Sequence, residues 1–176
     1  ITICYRDAYN LFACNGILFN HESPVRGGTF VTKKIISGLC KIKKNKQRIL
    51  YLGNLYAKRD WGHAEDYVEV MWKMLQQKKP SDYVIATGKS YSVKQFINLV
   101  SKELKMNILW KGKGLNEIGY YKSKPVIKID QKYFRPLEVD HLRGNPNKAK
   151  RLLNWKPKKS LTNLIKDMID EELNGI

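Results

Sequence analysis

Acidic side chains are scarce in this 176-residue chain: 16 Asp and Glu stand against 33 Lys and Arg, and the formal charge is +17. Such a charge draws anions, whether nucleotides, nucleic acid or acidic membrane surfaces, and says nothing of fold. Most of it is lysine strewn along the chain, as at 41–46 and from Lys156 to Lys159. No basic stripe with interleaved aromatics is present, which argues against nucleic acid as the partner. A source genome biased towards Lys, Asn and Ile would give the same balance with no partner at all. Cysteines are few as well: Cys4, Cys14 and Cys40 are odd in number and form no CxxC pair. That excludes a disulfide framework and fits a reducing, cytoplasmic setting. No His or Cys cluster has metal-ligand spacing, so no metal is expected. No apolar run approaches a membrane span, and Arg6 and Asp7 interrupt the apolar start where a signal peptide would need continuity. The chain begins at Ile rather than Met, which is the expectation for a fragment, a split-gene product or an incomplete chain.

What is present is an ordinary globular composition, 43% hydrophobic, at a length that buries a real core as one domain. Residues 1–11 read as the tail of an amphipathic helix. Ala13 to Phe19 is a short apolar run with the pattern of a strand buried on both faces, and it delivers Asn20 and His21 into a Pro- and Gly-containing loop. Phe30 to Lys43 carries Val31, Ile35, Ile36 and Leu39 at helical spacing, and Ile49 to Gly53 is a second short strand. Ala64 to Gln77 is the clearest helix, with Tyr67, Val68, Val70, Met71 and Leu75 expected on one side. Tyr83 to Ala86 is a strand ended by Thr87 and Gly88. Ser92 with Gln95 spells a capping box ahead of Phe96, Leu99, Val100 and Leu104. Ile108 to Trp110 and Val126 to Ile129 are small strands. Pro146, at a first helical position after Asn145 as cap, opens a helix to Leu153, and Ser160 caps a final one. Strands alternating with helices argue an α/β fold with a smaller α+β lobe.

The densest chemistry lies in Leu52 to Trp72, where Arg59, Asp60, Trp61 and His63 fall within five residues of a loop before a helix. Arg carries a rigid, permanently charged fork that suits phosphate. Asp60, Trp61 and His63 suit loop shaping and helix capping. That run, with NHESPVRGG (Asn20 to Gly28) and YFRPLEVD (Tyr133 to Asp140), resembles the GDP-mannose 4,6-dehydratase family of extended short-chain dehydrogenases/reductases. The resemblance covers nearly the whole chain, but only what corresponds to the C-terminal half of such an enzyme. It implies an extended Rossmann-type fold, with the last elements of the NADP-binding sheet at about 1–30 and 64–90. The nucleotide-sugar-binding lobe would be at about 30–63 and 91–176.

By that resemblance His21 and Arg26 match residues that contact NADP, and Asn20 one that touches the nucleotide sugar. Val25 stands where the family has a second basic residue, a departure that could loosen the loop's grip on the cofactor. Val31 and Lys34 match positions lining the GDP site, Arg59 matches the arginine that pairs with the diphosphate, and Asn54 lies near it. Arg135 would face phosphate or base and Glu138 the ribose hydroxyls, with Pro136 stiffening the turn between them. The bland alternatives are a solvated helix face for Lys34 and a surface salt bridge between Arg135 and Glu138.

Two spellings are decoys. Gly112, Gly114 and Gly119 imitate a dinucleotide fingerprint, but the spacing is wrong and no apolar helix follows to donate its N-terminal N–H groups. Tyr120 to Lys124 spells Y-x-x-x-K, the catalytic pair of the superfamily, yet Gly119 and Pro125 flank it where a helix would be needed. The glycine-rich first turn, the Ser/Thr and Glu of the active centre, and a helical Tyr and Lys are all missing from the 176 residues. No catalytic residue is therefore assigned, and the chain alone is expected to be inactive.

For the complete enzyme the resemblance implies a carbon–oxygen lyase acting on GDP-mannose. Hydride moves from C4 of the hexose to NADP, a proton leaves C5, water leaves C6, and the same hydride returns at C6 to give GDP-4-dehydro-6-deoxy-mannose. It also implies a homo-oligomer at full length, and a separate N-terminal half is a further expected partner. Two alternatives stand beside it: a related GDP-sugar reductase or epimerase, and a non-catalytic basic module binding nucleotide or nucleic acid.

Overall fold

The computed structural model describes residues 1–135 and 137–175, and the stiffening role expected of Pro136 lies outside the described residues. The chain opens with α1 (Thr2–Tyr9), β1 (Gly16–Leu18), β2 (Asn20–Glu22) and α2 (Val31–Lys43). β3 (Leu50–Leu52) leads to β4 (Lys58–Arg59) and β5 (Trp61–His63), then to α3 (Ala64–Leu75). β6 (Tyr83–Ile85), β7 (Tyr91–Ser92) and α4 (Val93–Glu103) follow, then β8 (Leu109–Lys111), β9 (Ile118–Tyr121) and β10 (Lys124–Ile129). α5 (Asn147–Leu152) and α6 (Leu161–Asn174) complete the chain.

The larger of two hydrophobic clusters closes between α2, α4 and α6 and a four-stranded sheet of order β3-β10-β9-β8. Helical spacing puts Ile35, Leu39 and Ile42 on one stripe of α2, and they meet Phe96, Ile97, Ile127, Ile165 and Met168. Each fully buried Ile, Leu or Phe contributes about 1.5–3 kcal/mol by leaving water. A Cβ at Gly38 would stand 2.8 Å from Leu50 Cδ1, so glycine lets α2 approach β3 closely. The capping box forms: Gln95 N donates to Ser92 Oγ at 3.1 Å and Ser92 N to Gln95 Oε1 at 2.7 Å. Ser160 Oγ likewise accepts from Asn163 N.

The smaller cluster gathers Tyr67, Val70, Met74, Tyr83, Ile85, Ala149, Leu153 and Trp155 around the parallel pair β1–β6. Here the structure corrects the sequence. The strand expected over Ala13 to Phe19 shrinks to three residues, and Ile17 is 55% exposed because β6 is the one strand paired with it among the described residues. α3 does not gather its apolar residues on one side: Tyr67, Val70 and Met74 turn inward while Val68, Met71, Trp72 and Leu75 face out. Ala149, Leu153 and Trp155 come from the segment expected in the lobe, so the division by chain segment is crossed there. Pro146 sits at the cap position of α5, not inside it, and Asn145 Oδ1 accepts from Asn147 N at 3.1 Å. α1 buries no residue and is moored by Arg6, whose guanidinium donates to Asp82 and to Ala13 O.

Both decoys resolve structurally. Tyr120 and Lys124 lie on β9 and β10, joined by a tight turn at Lys122 and Ser123 with φ of 48° and 61°, and Tyr120 stands opposite Pro125. Gly112 and Gly114 occupy the connection from β8 to β9, which holds a single 3-10 turn.

Candidate functional site

The run that reads as a loop between Leu52 and α3 is two short strands. β5 pairs in parallel with β2, with Asn20 opposite Trp61 and Glu22 opposite His63, while β4 pairs antiparallel with β7. Asp60, between them, is buried and accepts from Thr87 N, Gly88 N and Gly144 N, so it ties the β4–β5 connection to the turn at Thr87–Gly88 and to the segment at Gly144. His63 caps α3, its Nδ1 accepting from Glu65 N at 3.2 Å.

The segment after residue 137 returns beside β4. Lys58 N donates to Asp140 O at 2.7 Å and Leu142 N to Lys58 O at 3.0 Å, which brings Glu138 against Arg59 across 79 positions of sequence. The turn before it, Gln131–Tyr133, lies over the end of β3, and a Cβ at Gly53 would stand 2.4 Å from Tyr133 O. Glycine is required there because backbone cannot give way.

These contacts enclose a cavity of about 370 Å³ lined by Asn20, Val31, Lys34, Asn54, Arg59, Arg135 and Glu138. All seven residues matched to the nucleotide-sugar site thus meet in one place, although they span more than a hundred positions of chain. Arg59 is held on three sides: Nη1 donates to Lys58 O at 2.8 Å and Val139 O at 2.6 Å, and Nη2 to Glu138 Oε1 at 3.1 Å. Of the five N–H groups of a guanidinium, two remain for a ligand among the described residues. Glu138 therefore pairs with Arg59, not with Arg135 as the bland alternative had it.

Lys34 reaches into the cavity with Nζ 3.4 Å from the centre of the Tyr133 ring, whereas Lys33 beside it turns away to Glu172 and Pro24 O. Asn54 Oδ1 accepts from Tyr56 N at 2.9 Å, which leaves the amide nitrogen as the donor it can present.

His21, one residue from Asn20 on β2, points to the opposite face. Its ring lies 5.1 Å from that of Tyr67, and it lines a second cavity of about 340 Å³ with Arg26, Phe19 and Leu142. Asn20 lines both cavities and marks their border. Arg26 lies over Phe30, its guanidinium carbon 3.4 Å from the ring centre. Its Nε is buried and, among the described residues, makes no hydrogen bond, although Glu22 Oε2 is 3.0 Å away as an ion-pair partner. Arg26 and His21 thus share the smaller cavity, with the Nε side of the guanidinium turned to the Glu22 carboxylate.

Glu22 escaped sequence reading. Nothing in a loop spelling NHESP says that its carboxylate will be 2% exposed on the wall of the larger cavity. The same holds for Tyr133 and Phe30, which line that cavity and read from sequence as ordinary aromatics.

A family model described as GDP-mannose 4,6 dehydratase matches residues 1–168. The Dictyostelium discoideum GDP-mannose 4,6 dehydratase is 54% identical over 178 residues, covering 100% of this chain and 50% of that relative. The Drosophila melanogaster and Homo sapiens enzymes of that name are 52% and 50% identical over 98% of this chain, covering 44% and 47% of their own lengths. The chain spans about half the length of the curated relatives it matches, the C-terminal half. Among solved structures, RMD from Pseudomonas aeruginosa complexed with NADPH superposes with a TM-score of 0.78 at 15% identity, over 98% of this chain and 52% of that one. The dTDP-glucose 4,6-dehydratase of Bacillus anthracis in complex with NAD gives 0.74 at 14% identity, over 97% and 47%. At such identities the likeness is one of fold, the Rossmann-like fold of short-chain epimerases and dehydratases. With the family model spanning nearly all of it and relatives half identical along its length, the chain belongs to the GDP-mannose 4,6 dehydratase family.

Proposed function

We propose that this chain is the GDP-binding half of an NADP-dependent GDP-mannose 4,6-dehydratase, a carbon–oxygen lyase that converts GDP-mannose to GDP-4-dehydro-6-deoxy-mannose. The observation that carries this is the meeting of Arg59, Arg135 and Glu138 in one cavity with Asn20 and Lys34. Arg59, already oriented by two backbone carbonyls and Glu138, offers its remaining N–H groups to the diphosphate without first losing side-chain freedom, which is how a preorganised fork gains affinity. Arg135 adds a second cation, Glu138 accepts from the ribose, and Lys34, Val31 and Asn54 form the remaining wall. Asn20 holds the sugar at the border with the second cavity, where His21 and Arg26 grip the cofactor. NADP, when bound, supplies a reversible hydride acceptor. The acid and base belong to the half of the relatives that this chain does not match, so the chain by itself is inactive and contributes pose rather than proton transfer.

The outward apolar residues of α1 and α3 and the open edge of β1 are where that other half packs, carried on a separate chain or the same one. Full-length oligomers and a cytoplasmic setting complete the proposal. No helix among the described residues is long and apolar enough to cross a membrane.

Isothermal titration tests the reading. GDP should bind in preference to UDP and dTDP, and Arg59→Ala should weaken GDP by roughly a hundredfold or more, as expected when one partner of a desolvated charge contact is removed. Unchanged affinity removes Arg59 from the site. Binding to a generic oligonucleotide that collapses with salt would favour the basic-module alternative.

A further inference from the structure

Glu22 lies two residues beyond Asn20 on β2 and, by the alternation of a strand, on the same face. Both line the larger cavity. A carboxylate 2% exposed is costly unless it is held by partners, and this one is. Thr32 Oγ1, in the first turn of α2, donates to Oε2 at 2.8 Å, and Arg26 Nε lies 3.0 Å from the same oxygen. Burial pushes its pKa above the usual carboxylate range, with Thr32 and Arg26 opposing that rise. The other oxygen, Oε1, takes no hydrogen bond from the described residues. A side chain fixed through one oxygen, on the wall of a cavity, is a rigid acceptor for a hydroxyl.

Which hydroxyl follows from the layout. With the diphosphate at Arg59 and Arg135, the sugar carbon that exchanges hydride must reach the cofactor-side cavity, and Asn20 is the residue the two cavities share. The hexose therefore lies at the β2 end. Its 4- and 6-positions are consumed by the reaction, which leaves the 2- and 3-hydroxyls as handles. We propose that Glu22 is a hexose-binding residue that accepts a hydrogen bond from the 2- or 3-hydroxyl and so distinguishes a nucleoside-diphosphate hexose from the bare nucleotide. This rests on the nucleotide-sugar reading of the cavity and names the residue that reads the sugar.

Titration of the 176-residue chain with GDP, GDP-mannose and GDP-mannose analogues lacking the 2- or the 3-hydroxyl tests it. The wild type should bind GDP-mannose more tightly than GDP, and loss of the hydroxyl that faces Glu22 should cost roughly tenfold, the worth of a hydrogen bond to a charged group. In Glu22→Gln, GDP affinity should stay within about twofold, GDP-mannose should weaken roughly tenfold, and deoxygenation should cost little more. A purely structural Glu22 would weaken GDP and every sugar alike and leave the deoxygenation penalty intact, which overturns the proposal. Should Glu22→Gln fail to fold, Thr32→Val replaces it. That variant removes the hydroxyl that orients the carboxylate and should shrink the same penalty several-fold, and an unchanged penalty is again fatal. A wild type that binds GDP without preferring any hexose sinks the role of Glu22 alone. One that binds no GDP sinks the nucleotide reading and this inference with it.

Discussion

The two hydrophobic clusters are built from similar residues, yet one closes and the other does not. Around α2, α4 and α6 nearly every apolar position at helical spacing finds a partner, and the sheet beneath covers the remaining face. Around β1 and β6 the apolar supply exceeds the available surface: α1 buries nothing, and α3 shows Val68 and Trp72 at 63% and 62% exposure. A helix apolar on both sides is made to be covered on both sides. The difference teaches where this chain is self-sufficient. The lobe that frames the larger cavity carries its own core, while the β1–β6 pair and the helices beside it are covered on one face among the described residues.

The sharpest way to break that comparison is a pair of truncations. Phe96→Ala, in the closed core, should cost about 3–5 kcal/mol in urea unfolding and take GDP binding with it. Ile85→Ala, in the open region, should leave the lobe's transition in place. If the two regions melt as one unit with equal losses, they are not distinct. Next in size is association. Trp72→Ser with Val68→Lys should raise several-fold the concentration at which the chain self-associates in sedimentation, because an exposed apolar patch drives contact.

A smaller effect sharpens the picture inside the lobe: Ser92→Ala removes one arm of the capping box and should cost about 1 kcal/mol by thermal melting. The smallest concerns acid. Arg6, with help from Asn15, holds the Asp82 carboxyl down at about 2. A depressed carboxylate contributes stability that is present above its unfolded pKa of about 3.9 and disappears as pH falls through the folded value. Melting temperature should thus decline between about pH 4 and 2 through this group, and Asp82→Asn should flatten that part of the decline by a few degrees at most.

Most helices of this protein are legible without coordinates, because their spacing and caps are local. Ser92 with Gln95, Ser160, and the Val31, Ile35, Ile36 and Leu39 spacing behave as their neighbours in sequence dictate. Short strands are not legible in the same way. Lys58–Arg59 and Trp61–His63 read as loop, since a two- or three-residue strand exists through pairing with distant segments. The inward face of α3 is hidden in the sequence for a related reason: with apolar residues on both sides, periodicity does not say which side meets the core that is present.

The same divide runs through the candidate site. Spelling marked Asn20, Lys34, Arg59 and Arg135 by their likeness to a family, and the side-chain chemistry of each was evident from the residue type. That Arg59 would be locked by Glu138 and two carbonyls depended on residues 137–142 lying beside β4. That Glu22 would be a buried wall of the cavity, and not a solvated loop acid, depended on β2 meeting β5 and on Thr32 arriving from α2. Helical periodicity, caps and charge are properties of neighbouring residues, so sequence alone determined them. Convergence of distant side chains and the burial that sets their strength depend on how the whole chain packs, and only the tertiary structure decided those.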